Sequence, residues 1–321
     1  MKTAALLLVL IASATGYAAT ADEQDADPLA EPVQRATAVL AGRDDPDSLA
    51  AAAVLAVIKD RAGAEQLAAR ASAAGPKRPE LLWLHAILCS SVPTCDREAL
   101  EAKLRKLDPE NGVTLVSALA EGRKAGDPAA MDRVLDALAA SKRVDLYWNP
   151  LVAHLSKAVI STKTLTASQS VASVIGVLAG TGIPAFSGTA ALCRGDELQR
   201  EGRRARCQGV ARALQRGDTV IVEMVGVGMT TQLWAENSPQ VRAANQARRA
   251  FEYRTSVWGQ DSARLLTDDT HLHQYLENLG RYRREQDVIV AELVAAGRNP
   301  TPPADWHLTP PHDGTPGPAA R

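Results

Sequence analysis

The side chains able to do chemistry are few and scattered. The densest polar cluster is Asp268-Asp269-Thr270-His271-Leu272-His273, whose carboxylates and imidazoles are the right types to hold a divalent metal. On a helix, residues two apart point to different sides, so the simpler reading makes Asp268 or Asp269 an acidic N-terminal cap. His85 and His154 fall in apolar helical segments and read as hydrogen-bonded structural residues. The cysteines form two local couples, Cys89-x5-Cys95 and Cys193-x13-Cys207. Neither has zinc-ligand spacing, and local disulfides Cys89–Cys95 and Cys193–Cys207 are the expected pairing. Arg200, Arg203, Arg204 and Arg206 make a basic run with Glu197 and Glu201 at helical pairing distance. Arg242, Arg248, Arg249 and Arg254 resemble it, and both runs read as solvated helix faces. Gly226-Val227-Gly228 lacks the third glycine of a dinucleotide loop and reads as close helix packing. There is no H-E-x-x-H, G-x-S-x-G or P-loop. No catalytic residue, cofactor or metal centre is therefore assigned. The candidate binding residues are Tyr147, Trp148 and Asn149, in the densest aromatic site, together with Trp306. In a helical stack, Tyr147-Trp148-Asn149-Pro150 would cap a hairpin or line the inner face, capping being the simpler of the two.

The elements that position these residues are helical. Close to a fifth of the 321 residues are alanine, aromatics make up only 4%, and the formal net charge is -1. Alanine with few β-branched runs favours helices packed on small side chains. The near-neutral balance supplies no field for nucleic acid. Residues 1–21 read as a secretory signal peptide: Lys2, the apolar run Leu6–Ile11, and a cleavage signal at Ala19-Thr20-Ala21. An even cysteine count agrees with an oxidising destination, periplasmic or secreted.

Helix starts are marked by Asp45-Pro46, Asp127-Pro128 and Ser238-Pro239, and stops by Gly75, Gly126, Gly217 and Gly297. These signals predict helices over 30–42, 46–60, 63–74, 79–90, 96–106, 112–125, 128–141 and 144–160. Further helices are predicted over 167–179, 186–193, 197–216, 219–235, 238–259 and 270–297, the last breaking at Gly280. The segment 164–193 has no charge and an apolar centre at 171–179. It is too broken by glycine and proline for a span, and reads as a helix buried against the stack, with membrane or partner contact as the alternative. The tail from 298 to 321 is proline-rich, with Trp306 able to anchor it.

Two consecutive units of about 34 residues run from Arg78 to Asn111 and from Gly112 to Asp145. The first ends Leu107-Asp108-Pro109-Glu110-Asn111; the second turns at Lys124-Ala125-Gly126-Asp127. With Leu81, Leu84 and Leu88 in one unit and Leu115, Ala118 and Leu119 in the other, this resembles the tetratricopeptide repeat over about 49–145. A further partial match lies over 266–300. The resemblance implies an all-α fold of stacked antiparallel hairpins, as a curved solenoid or compact bundle. The expected organisation is a leader (1–21), repeat hairpins (22–160), a helical region on or continuing them (161–297) and the tail. The resemblance also implies binding of a protein or peptide partner. The alternatives are a hydrolase or metal-dependent enzyme on a helical scaffold, and an envelope factor touching membrane through 164–193.

Overall fold

The computed structural model describes residues 28–306. Among them are fifteen α-helices and no strand, an all-α fold. The first seven are α1 (Ala30–Ala41), α2 (Pro46–Ala56), α3 (Arg61–Ala74), α4 (Pro79–Cys89), α5 (Arg97–Leu107), α6 (Val113–Ala125) and α7 (Pro128–Ala140). Then come α8 (Trp148–Ile160), α9 (Ala167–Thr181), α10 (Ser187–Leu192), α11 (Arg203–Leu214) and α12 (Val220–Leu233). The last are α13 (Pro239–Asp261), α14 (Asp269–Arg281) and α15 (Glu285–Ala295).

The start signals act as caps. Asp45, Asp127 and Ser238 accept from the backbone N–H of Ser48, Ala130 and Val241, each followed by proline in the first turn. Consecutive helices pack from α1 through α5, and α6 packs on α7. The array then continues across an insertion: α11 sits on α7, α12 on α11, α13 on α12 and α15 on α13. Alanine sets the closeness at the α2–α3 contact. Ala50 to Ala53 on α2 and Ala64 and Ala68 on α3 are all 0% exposed, so the helices meet without long side chains between them.

Helix α8 closes the array. It packs on α1, α2 and α4 from the start of the chain and on α14 from its end, and α9 likewise touches α2 and α14. One core cluster runs from Ala36 to Val288, across the expected boundary at 160. The uncharged segment is packed too: Ser170, Val171, Val174 and Leu178 of α9 are buried. No helix among the described residues is long and apolar enough to cross a membrane.

Three boundaries differ most from expectation. Helix α8 begins at Trp148 rather than 144, because Arg143 forms a parallel bridge with Asn111 and Tyr147 turns through a left-handed conformation. The segment 197–216 is two pieces, a 3-10 turn over Gly195–Gln199 and α11, separated by Gly202 at φ +68°. The break in 270–297 falls at Tyr282–Arg284, and Gly280 stays inside α14. The β-branched run from Val220 is helical, Thr219 capping it through Val222 N–H.

Only one glycine of Gly226-Val227-Gly228 sits at a close approach. A Cβ on Gly226 would stand 2.6 Å from Gln215 N and 2.8 Å from Ala211 O of α11, whereas one on Gly228 meets nothing within 4 Å. Gly226→Ala is expected to cost about 1–3 kcal/mol by overpacking. Gly228→Ala should gain about 0.5–1 kcal/mol from helix propensity. Thermal melts of the pair check this, and equal effects would refute the close-approach account.

Candidate functional site

Helices α3, α4 and α5 line an open cavity of about 600 Å³. Its floor is apolar, including Ala69, Leu82 and Leu100. Its rim carries Lys103, Lys106 and Leu107, the last 38% exposed, and no acidic side chain lines it. The amphipathic α5 explains this: Leu100 and Leu104 turn into the core, while Lys103 and Lys106, three apart, share an outward side.

His85 forms part of the cavity wall. Its Nδ1 lies 3.1 Å from Ser72 Oγ, which donates to Ala69 O at 3.0 Å. Its Nε2 lies 2.9 Å from Glu65 Oε1. Glu65 Oε1 is in turn 3.3 Å from the sulfur of Cys95, which is bonded to Cys89. The expected pairings Cys89–Cys95 and Cys193–Cys207 are both formed, and no described cysteine is free. The first pins the α4–α5 turn.

The sequence-predicted metal candidates do not converge. Asp268 caps α14, accepting from the N–H of Thr270 and His271. Asp269 is exposed in the first turn, and its carbonyl lies 2.6 Å from His273 Nδ1. His271 points to a different partner, Glu292 Oε2 at 3.3 Å, and Asn278 holds the other oxygen of that buried carboxylate. Three residues elsewhere, Glu65, His85 and Cys95, bring their ligating atoms within 4.8 Å of one another.

The binding candidates are packed rather than presented. Asn149 is 0% exposed and donates to Tyr282 O, Tyr147 is buried, and Trp148 packs half-buried against the core. These residues tie α8 into the fold. Trp306 also has an internal partner: it meets Tyr253 edge-on at 5.5 Å, and Arg249 holds the Pro303, Ala304 and Trp306 carbonyls. The tail thus docks as far as Trp306, and the expectation that Tyr147, Trp148, Asn149 and Trp306 form an open surface gives way. The leader 1–21 and residues 307–321 lie outside the described residues.

Around Tyr147 is a buried polar hub that the sequence did not disclose. Arg143 pairs with both oxygens of Asp108 at 2.8 Å and with Asp145 at 2.6 Å. Tyr147 donates to Asp108 at 2.7 Å. Asn111 accepts from Asp145 N and donates to Asp145 O, joining positions 34 apart. Asp218 accepts from Leu146 N at 2.8 Å and Trp148 N at 3.0 Å, and Arg283 pairs with Asp145. Burial, and then the neighbouring Asp145 carboxylate, push Asp218 up to about 7; burial and the bond to Asp108 also raise Tyr147. The hub balances a cost, since Tyr147 sits at φ 56°, worth roughly 1–2 kcal/mol of strain for a bulky residue. Its perturbed groups line no part of the α3–α5 cavity.

The basic run is internal at Arg203, while Arg200 and Arg204 are exposed. Arg203 is 0% exposed and pairs with Asp132 at 2.7 Å and Glu197 at 3.0 Å; Arg200 and Arg206 converge on the same Asp132. The solvated-face reading fails for Arg203 because α7 supplies a carboxylate that local spacing could not reveal. No protein-family model, curated protein or solved structure matches this chain.

Proposed function

We propose that this is an exported helical-repeat protein of the cell envelope that binds an extended segment of a protein or peptide partner in the α3–α5 cavity. The carrying observation is the cavity itself: an apolar floor with Lys103 and Lys106 on the rim and no lining carboxylate. Such a surface complements a segment with apolar side chains and acidic neighbours. Two formed disulfides support a non-reducing destination, as does the leader sequence. The separation of perturbed acids from the cavity favours binding over acid–base catalysis, which needs them within reach of one another.

Fluorescence anisotropy with short peptides tests the reading. Apolar–acidic peptides should bind and basic ones should not. Lys103→Glu/Lys106→Glu should weaken binding at least about tenfold, or 1.4 kcal/mol. Equal binding by that double variant would overturn it.

A further inference from the structure

Beside the cavity, Glu65, His85 and Cys95 bring a carboxylate, an imidazole and a sulfur within 4.8 Å of one another, and Cys89 is bonded to Cys95. The geometry points to a second role for this cluster: when the Cys89–Cys95 bond is opened, the four side chains form a zinc site, so disulfide and metal are alternative states of the same turn.

The ligand set is the first argument. Zinc takes thiolate, imidazole and carboxylate in four-coordinate sites with bonds of about 2.0–2.3 Å, which places neighbouring ligand atoms roughly 3–4 Å apart. His85 Nε2 lies 2.9 Å from Glu65 Oε1, which lies 3.3 Å from Cys95 Sγ. His85 and Cys89 stand four apart on α4 and share a helix face.

The second argument is the orientation of His85. A ligating imidazole needs its other nitrogen held by an acceptor, which leaves the lone pair on the ligating nitrogen. Ser72 supplies this. Its hydroxyl donates to Ala69 O, so its oxygen is free to accept from Nδ1–H, and Nε2 then faces Glu65 and Cys95 with its lone pair. In the disulfide form Nε2–H donates to Glu65 instead, and the one Ser72 proton turns from Ala69 O to the Nδ1 lone pair. The serine serves either tautomer.

The third argument is access. Cys95, in the 90–96 turn, and Glu65, on α3, are partly exposed, so one sulfur of this bond is open to attack although Cys89 is 2% exposed; Cys193 and Cys207 are both buried, at 2% and 0%. A dithiol reductant attacks the Cys89–Cys95 bond first by thiol–disulfide exchange and leaves as its own disulfide. The two released thiols then give up their protons to solvent as their sulfurs bind zinc.

The test is zinc titration of the purified mature chain, oxidised and after mild reduction with a phosphine, against a chromophoric chelator, with circular dichroism following the fold. The expected result is one zinc per reduced chain and none per oxidised chain. Cobalt(II) should show thiolate charge-transfer bands in the reduced protein alone. Cys89→Ser/Cys95→Ser should abolish binding although Cys193 and Cys207 remain. Glu65→Gln, which keeps every cysteine and the side-chain shape, should weaken it at least tenfold, and Ser72→Ala by about tenfold. The inference is overturned if the reduced folded chain takes up no zinc, if the double serine variant retains it, or if reduction unfolds the chain.

Discussion

Asp218→Ala is expected to destabilise the protein by about 2–4 kcal/mol. Two buried backbone N–H groups, of Leu146 and Trp148, would lose their acceptor, each costing about 1–3 kcal/mol, while removal of a carboxylate near Asp145 returns part of the loss. Because Asp218 holds the extended entry to α8, and α8 touches helices from both ends of the chain, the loss should reach the whole fold. Asp218→Asn separates charge from shape. The folded-state value is near 7 and the reference value 3.8, so the folded protein binds the proton more tightly. The stabilisation from this group is therefore fully present below about pH 4 and is lost as pH rises to 7. Asparagine does not titrate in this range. The midpoint of the wild type relative to Asp218→Asn should fall from pH 4 to 7 and then level off, and a constant difference would contradict the assignment.

The second large effect is at Arg203. Asp132→Ala leaves a guanidinium with 0% exposure dependent on Glu197 and the Leu192 carbonyl, and removing one partner of a buried pair typically costs about 3–5 kcal/mol. The cost should come from the stranded cation rather than from the lost contact. Hence Asp132→Ala combined with Arg203→Met should be more stable than Asp132→Ala by itself. Denaturant unfolding of the four proteins of the cycle measures it, and additive losses would refute the explanation.

The local signals were legible in the sequence because they act over a few residues. Asp-Pro and Ser-Pro mark three helix starts, Gly126 takes φ +68° at the end of α6, and neighbouring cysteines pair. The hub was not legible, because its members come from four segments, with Asp145 and Arg283 138 positions apart. Helical periodicity says which face is apolar and nothing about which distant carboxylate meets it. Tyr147-Trp148-Asn149 is the densest aromatic site in the sequence, and the structure uses it to enter α8 with Tyr147 at φ 56°. The cavity draws Ser72, His85 and Lys103 from three helices. One signal was present and unread: His85 and Cys89 stand four apart, on one helix face.

A partner segment in the α3–α5 cavity, as proposed, would lie within reach of photoreactive side chains on its wall. Site-specific photo-crosslinking in intact cells tests it most directly. A photoreactive residue at Ala73, in the cavity wall, should give a discrete adduct that disappears with Lys103→Glu/Lys106→Glu; one at Ile58, 77% exposed and outside the cavity, should not give it. The same adduct from both positions, or none from Ala73, would contradict the claim.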